Sequence, residues 1–218
     1  MDRNDVKRFY ETFDFEKMIT NPPKLIQDFL DGEIGFVEEH IRPGKKILEI
    51  GCGYGRLMRV LSKNAKKVVG IDFSKRMVGL AGKNLSDAGN VEILPMDADD
   101  LKFADGSFDY VLCLDNSFGN MPGIELGVLR EMARTCKKGG EVIVSVFSEN
   151  AGDVQAENYG RIGLKGIRDD GKAVHTDEGF YSRRFTKKEL IELFGKAGLE
   201  CEIMSVCPVN YIAYAVKG

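Results

Sequence analysis

The chain of 218 residues contains no tryptophan, only two histidines and only five cysteines. His40 and His175 are too few for a histidine-rich metal site. An odd number of cysteines without a C-x-x-C pair speaks against a disulfide framework and against a zinc ribbon. Cys113, Cys136, Cys201 and Cys207 lie in or beside apolar segments, where packing is their expected role, and no metal is expected. Long apolar runs are missing too. Nothing approaches the ~18 uninterrupted apolar residues of a membrane span, and the opening "MDRNDVKRFYETFDFEKM" is too charged for a secretory signal. A cytoplasmic protein with no membrane contact is the expectation. A formal net charge of -3 and a pI near 5.6 supply no broad positive field for a phosphate backbone. The runs "CKKGG" and "SRR" are short enough to be solvated surface, so no nucleic-acid partner is expected.

What the chain does have is an ordinary globular composition, 43% hydrophobic and 30% charged, at a length that suits one domain with a full core. From residue 45 onward, short β-branched runs alternate with longer amphipathic stretches, the pattern of a parallel sheet flanked by helices. "KKILEI", "KKVVGI", "VEIL", "FDYVLCL" and "EVIVSVF" read as strands. Residues 56–63, 75–86 and 124–136 carry apolar side chains at helical spacing. Ser74 is positioned to cap the second of these helices, and Gly139 with Gly140 to stop the third. In "RFTKKELIELFGKAGLE", Thr186 and Glu189 form a capping box and Gly198 closes the helix. "CEIMSV" and "NYIAYAVK" follow so closely that they must pair antiparallel.

Residues 1–40 read as two helical segments split by "NPPK". Asn-Pro-Pro followed by an aromatic would suggest an enzyme that methylates nucleic-acid amines, but Lys24 occupies the aromatic position, which leaves a turn that opens a helix. Residues 148–185 form a polar, glycine-bearing insertion, either a lid or a mobile loop.

The stretch "KILEIGCGYGRL" raises the question of a ligand. A dinucleotide site wants G-x-G-x-x-G after its first strand, whereas here the glycines are Gly51, Gly53 and Gly55, and Arg56 replaces the third glycine of that fingerprint. No P-loop is present. Glu49, just before the turn, would repel a pyrophosphate but suits a cationic group. Asp72, ending the second strand, can accept hydrogen bonds from both hydroxyls of a ribose.

These residues resemble a known family. Glu49-Ile50-Gly51-Cys52-Gly53-Tyr54-Gly55 is similar to the first motif of class I S-adenosylmethionine-dependent methyltransferases, and "VVGIDFSKRMVGLA" and "MDADDLKFADGSFDYVLCLDN" are similar to the segments that follow it. The likeness spans roughly residues 45–147. It implies a doubly wound α/β sheet of seven strands in the order 3-2-1-4-5-7-6, the last antiparallel. It further implies an N-terminal helical lid over 1–40, a cofactor-binding core over 45–147, the insertion over 148–185, and a C-terminal helix and strand pair over 186–218. The cofactor would be S-adenosylmethionine, leaving as S-adenosylhomocysteine. By position, Gly51, Cys52, Gly53 and Gly55 would pass beneath the methionine portion with Glu49 supporting its amino group, and Asp72 would bind the ribose. Phe73 and Met77 would pack on the adenine, Asp97 would accept from its exocyclic amine, and the Ala98 backbone would meet the ring edge. Phe73 and Met77 also sit where a core helix would bury them.

Leu114, Asp115 and Asn116 end the fourth strand and would project toward the methyl group. "LDNSFGN" is similar to the corresponding segment of glycine N-methyltransferases, in which the asparagine helps hold a small amine; Asp115 stands where those enzymes have a small residue. Asp115 and Asn116 are therefore the candidates to position the acceptor, which the resemblance implies is an amine, with Asp115 able to accept its proton. Tyr10 lies where related enzymes often cover the cofactor, although the aromatic face made by Phe9, Phe13 and Phe15 equally suits packing on the core. Tyr181, Arg183 and Arg184 either reach the acceptor, an arginine pairing with a carboxylate, or are solvated surface. The expected activity is methyl transfer to a small molecule. Methylation of protein or RNA and a non-catalytic cofactor-binding regulator are the alternatives, with aminopropyl transfer last.

Overall fold

The structure, a computed structural model, describes residues 3–13 and 21–218. Two helices come first, α1 (Arg3–Thr12) and α2 (Lys24–His40). The alternating region follows as β1 (Lys46–Ile50), α3 (Arg56–Leu61), β2 (Lys67–Asp72), α4 (Lys75–Asn84), β3 (Val91–Pro95), β4 (Phe108–Cys113), α5 (Glu125–Thr135) and β5 (Cys136–Ser148). Beyond it lie α6 (Gly152–Arg161), β6 (Arg168–Asp169), β7 (Ala173–His175), β8 (Tyr181–Phe185), α7 (Lys187–Lys196), β9 (Glu202–Met204) and β10 (Asn210–Val216).

The long strands form a sheet in the order β3-β2-β1-β4-β5-β10-β9. β1 to β5 are mutually parallel and β10 runs antiparallel to both β5 and β9. With β10 counted seventh and β9 sixth, this is the order the resemblance implies. The count of strands is larger than seven. The insertion, expected as a lid or a mobile loop, carries helix α6 and a three-stranded antiparallel ribbon, β6-β7-β8. Its last strand joins the far end of β5 in parallel through Phe147↔Arg184 and Ser148↔Phe185. These strands are short and their sequence is polar, so periodicity does not mark them; they form because β5 outruns β4 and offers a free edge.

Gly139 and Gly140 do not stop α5, which ends at Thr135. The chain turns extended at Cys136, and the glycine pair, Gly139 at φ +71°, lies in an irregularity where the register with β4 slips between Phe108 and Tyr110. Other boundary signals agree with the structure. The Ser74 hydroxyl accepts from the Met77 N–H, Thr186 and Glu189 make a reciprocal capping box, and Gly198 follows α7 at φ +79°. Cys201 and Cys207 are only partly buried, unlike Cys113 and Cys136.

Both faces of the sheet are covered, and strand alternation decides which side chains go where. Leu48, Ile50, Val111 and Cys113 face the core beneath α5 and α7, with Leu129, Met132 and Phe194. Ile47, Leu112 and Leu114 face the other way, toward Phe36 and Val37 of α2 and Met58 and Leu61 of α3. Glu49 follows the parity of Ile47, so β1 delivers its carboxyl to the α2–α3 side at the carboxyl end of the sheet. That placement determines its neighbours in the site.

Candidate functional site

The turn after β1 is shaped by backbone conformation. Gly51, Gly53 and Gly55 sit at φ +70°, +52° and +89°, in the region that L side chains rarely adopt. A Cβ at Gly51 would stand 2.8 Å from Ser117 Cβ, so the turn also packs directly on the loop after β4. At Gly53 a Cβ would meet nothing within 4 Å, which leaves bare backbone beside open space. The Asp72 carboxylate accepts from the Gly53 N–H at 3.0 Å and from the Ser74 N–H at 2.9 Å, tying the end of β2 to the turn. Burial pushes the Asp72 carboxyl up to about 6 even though these two N–H groups oppose the shift.

A cavity opens over this turn. Of the residues named from sequence, Tyr10, Glu49, Gly51, Cys52, Gly53, Asp72, Phe73, Met77, Ala98, Leu114, Asp115 and Asn116 all line it. Gly55 and Asp97 do not. Gly55 meets Leu85, whose Cδ1 would be 2.7 Å from an added Cβ. The Asp97 carboxylate pairs with Lys7 Nζ at 2.6 Å and Arg3 Nη2 at 3.0 Å, which anchors α1 beside the cavity. Arg3 also reaches Asp99 at 2.6 Å. From the same helix, Tyr10 lines the cavity and meets the Phe73 ring edge-on at 6.1 Å between centroids, while Phe9 is buried against Phe180. Phe15 lies outside the described residues.

Four carboxyl groups converge on one side of the cavity, and sequence reading foresaw only three of them. The fourth is Glu33 of α2, fully buried. It occupies the apolar stripe formed by Ile26, Phe29, Leu30, Phe36 and Val37, and an acid on that stripe was the signal available in the sequence. Glu33 accepts from the Asp115 N–H at 2.7 Å, from the Ser145 hydroxyl, and from Arg56 Nη2 at 2.9 Å. Arg56 Nη2 also stands 3.1 Å from the Asp115 carboxylate. Glu49, 4% exposed, has an Oε2 with no hydrogen-bond partner. Desolvation pushes its carboxyl up to about 8; the Arg56 charge opposes this, and Glu33, Asp115 and Asp72 add to it. Burial likewise raises Glu33 and holds the Cys52 thiol well above its ordinary range, hence protonated.

Asp115 and Asn116 stand at φ +51° and +55°, two successive non-glycine residues in the left-handed region. Such strain persists only where neighbours over-determine it, and here they do. Glu33 and Ser145 hold the Asp115 N–H. The Asn116 side chain accepts from the Phe147 N–H at 3.0 Å and donates to Ser182 at 2.9 Å and Asn120 at 3.3 Å. As a result Asn116 is buried and committed to the frame, whereas Asp115 is exposed and lines the cavity. The insertion contributes Asn158 and Tyr159 of α6, and the Tyr159 hydroxyl shares a 2.7 Å hydrogen bond with Ser182. Ile26, Leu30, Met121 and Phe147 supply apolar wall. None of these was singled out from sequence, because their elements come together only in the folded chain.

Tyr181, Arg183 and Arg184 are not on the cavity lining. Neither arginine is solvated surface either. Arg183 pairs with Glu125 at 2.9 Å and Glu189 at 3.0 Å, and Arg184, 4% exposed, pairs with Asp169 and donates to Gln155 at 2.9 Å.

Residues 47–140 match a family described as "Methyltransferase domain". Over 111 residues the chain is 37% identical to a demethylmenaquinone methyltransferase of Bacillus velezensis, a match covering 48% of this chain and 46% of that protein. The chain thus spans under half the length of that relative. Among solved structures, a SAM-dependent methyltransferase from Aquifex aeolicus superposes with a TM-score of 0.68 at 20% identity, covering 95% of this chain and 100% of that one. A 1,6-didemethyltoxoflavin-N1-methyltransferase of Burkholderia thailandensis, solved with 1,6-didemethyltoxoflavin and S-adenosylhomocysteine bound, superposes with a TM-score of 0.63 at 16% identity, covering 87% and 78%. At those identities the structures establish shared fold alone, and the sequence similarity to methyltransferases lies in residues 47–140. Residues 47–140 thus match a methyltransferase-domain family, and the fold around them is the one these methyltransferase structures share.

Proposed function

We propose that this protein is an S-adenosylmethionine-dependent methyltransferase acting on a small molecule with an apolar body. The observation that carries the reading is the convergence of Glu49, the bare turn at Gly53, Asp72 and Asp115 on one cavity at the carboxyl end of the parallel strands. The chain's own residues fit the cofactor. Open space stands beside Gly53, Glu49 offers a buried carboxyl oxygen without a partner, and the Asp72 carboxylate has lone pairs beyond the two N–H groups it already accepts from. When bound, the cofactor supplies a methyl group on a cationic sulfur.

Glu49 would take the ammonium of the methionine tail and Asp72 the ribose hydroxyls, while Phe73, Met77 and Ala98 line the wall for the adenine. Asp97 supports the adenine side through α1, which it anchors. Cys52 stays a neutral thiol, so it is a poor competitor for the methyl group. On the acceptor side, Asp115 would align a hydroxyl or amine and take its proton, and Asn116 would hold the strained bend that presents Asp115. Collinear alignment of nucleophile, carbon and sulfur provides much of the acceleration in such a displacement.

Two observations bear on the acceptor. Ile26, Leu30, Met121 and Phe147 give it an apolar wall, and the curated relative's name refers to a quinone-type substrate. The commitment of the Asn116 side chain to Phe147, Ser182 and Asn120 leaves it less free to grip a glycine-like amine. A hydroquinone or phenol is therefore favoured over a small polar amine. The test is calorimetric titration with S-adenosylmethionine, then release of S-adenosylhomocysteine across hydroquinones, phenols, amines, thiols and carboxylates. Turnover confined to a hydroquinone or phenol is the expected result. No binding at millimolar cofactor would end the reading, and label appearing in protein or RNA would replace it with the macromolecular alternative.

A further inference from the structure

The described lining of the cavity contains one cationic side chain, Arg56. It stands where a dinucleotide fingerprint has its third glycine, directly after the turn proposed to pass beneath the methionine portion. One nitrogen of its guanidinium, Nη2, is occupied by Glu33 at 2.9 Å and Asp115 at 3.1 Å. The other, Nη1, is buried and has no hydrogen-bond partner. A buried guanidinium N–H left unpaired is costly, and a carboxylate is the partner whose geometry matches it best. The acids around it do not fill that position: Glu33 and Asp115 use Nη2, and Glu49 Oε2 is itself unpartnered.

The methionine end of the proposed cofactor is a zwitterion, and two residues on the cavity lining, one acidic and one cationic, each carry a buried atom without a hydrogen-bond partner, Glu49 Oε2 and Arg56 Nη1. We propose that Arg56 receives the carboxylate of the methionine tail, so that Glu49 and Arg56 together read the amino-acid end. This inference rests on the cofactor reading above and adds the residue that distinguishes an amino-acid tail from a bare alkyl amine. Glu33 becomes the positioning residue that fixes the guanidinium from behind.

Long-range electrostatics make the idea sharply testable. Among the described residues that line the cavity, Glu49, Asp72 and Asp115 are acids and Arg56 is the one cation, so without a local contact the cavity has no reason to prefer the less positive of two otherwise similar ligands. S-adenosylhomocysteine is net neutral at its tail. Its decarboxylated analogue, S-adenosyl-3-thiopropylamine, keeps the ammonium and lacks the carboxylate. If Arg56 holds the carboxylate, the wild-type protein binds S-adenosylhomocysteine at least about tenfold more tightly than the analogue, against the trend of net charge. In Arg56→Gln that preference falls to about one or reverses, and Arg56→Lys retains part of it. Calorimetry on the four combinations of protein and ligand reads the coupling directly. A wild-type protein that binds the analogue as tightly as S-adenosylhomocysteine, or an Arg56→Gln protein that keeps the full preference, overturns the assignment while leaving the cofactor reading intact. A wild-type protein that binds neither ligand overturns both. Should Arg56→Gln fail to fold, with Glu33 and Asp115 stripped of their partner, the wild-type ratio and Arg56→Lys decide by the same criteria.

Discussion

At the scale of single residues, the acceptor edge is where geometry says most about function. Asp115 is held at φ +51° by the hydrogen bonds its own N–H donates to Glu33 and Ser145, so its backbone position does not depend on its side chain. Asp115→Asn should therefore fold normally and leave cofactor affinity within about threefold, while lowering kcat on the true acceptor by about tenfold to a thousandfold if the carboxylate takes a proton. Steady-state kinetics and calorimetry together check this. Undiminished turnover would remove the charge from the mechanism. The sequence placed both Asp115 and Asn116 at this edge, because residues ending a parallel strand must emerge there. It did not separate their tasks, since the partners of Asn116 come from β5 and β8.

At the scale of elements, α1 is the feature most exposed to test. It reaches the site through Tyr10 and is tied down by Arg3 and Lys7 on Asp97 and Asp99. These pairs are partly exposed, with side-chain accessibilities between 25% and 43%, so each is worth on the order of 0.5 kcal/mol and is screened by salt. Replacing Arg3 and Lys7 by alanine should leave the melting temperature of the core nearly unchanged. It should weaken cofactor binding by roughly fivefold, and the salt dependence of binding seen in the wild type should shrink with it. An unchanged affinity in the double variant would show that α1 does not close over the cofactor. The helix itself was legible in sequence, as were the capping signals at Ser74, Thr186 and Glu189, because caps are local chemistry. The ribbon β6-β7-β8 was not, because what stabilises it is the free edge of β5, distant in sequence.

At the scale of the whole molecule, the site concentrates buried acid against one guanidinium, and the pH dependence of stability follows. Folding raises the Glu49 carboxyl from 4.5 to about 8 and the Asp72 carboxyl from 3.8 to about 6. A raised acid favours the native state while it is protonated. The stabilising contribution is thus complete below the unfolded values and is lost as pH rises through the folded ones. The ligand-free protein should lose stability as pH climbs through the window from 4.5 to about 8, with the Asp72 part gone by about 6. In the proposed binding mode S-adenosylmethionine brings its ammonium to Glu49, so saturating cofactor should flatten the Glu49 part of that decline, and binding near neutral pH should release protons from Glu49. Thermal melts across the range, and titrations in buffers of different ionisation enthalpy, test both statements. A ligand-free stability that rises from about pH 5 to about pH 8 would contradict the burial of Glu49 as described.

What the sequence determined by itself is whatever neighbours along the chain can express. This covers the alternation of strands and helices, the order of the main sheet that the family resemblance implies, the glycine turn, and Glu49 and Asp72 at strand ends. Strand parity alone sends Glu49 to the same face as Ile47. Only the tertiary structure decided which charges share the cavity. Glu33 comes from α2, Arg56 from α3, Asp115 from the end of β4 and Ser145 from β5, and no local pattern relates them. Their coupling arises because packing removes water from between them, which is a property of the assembled core and not of any one segment.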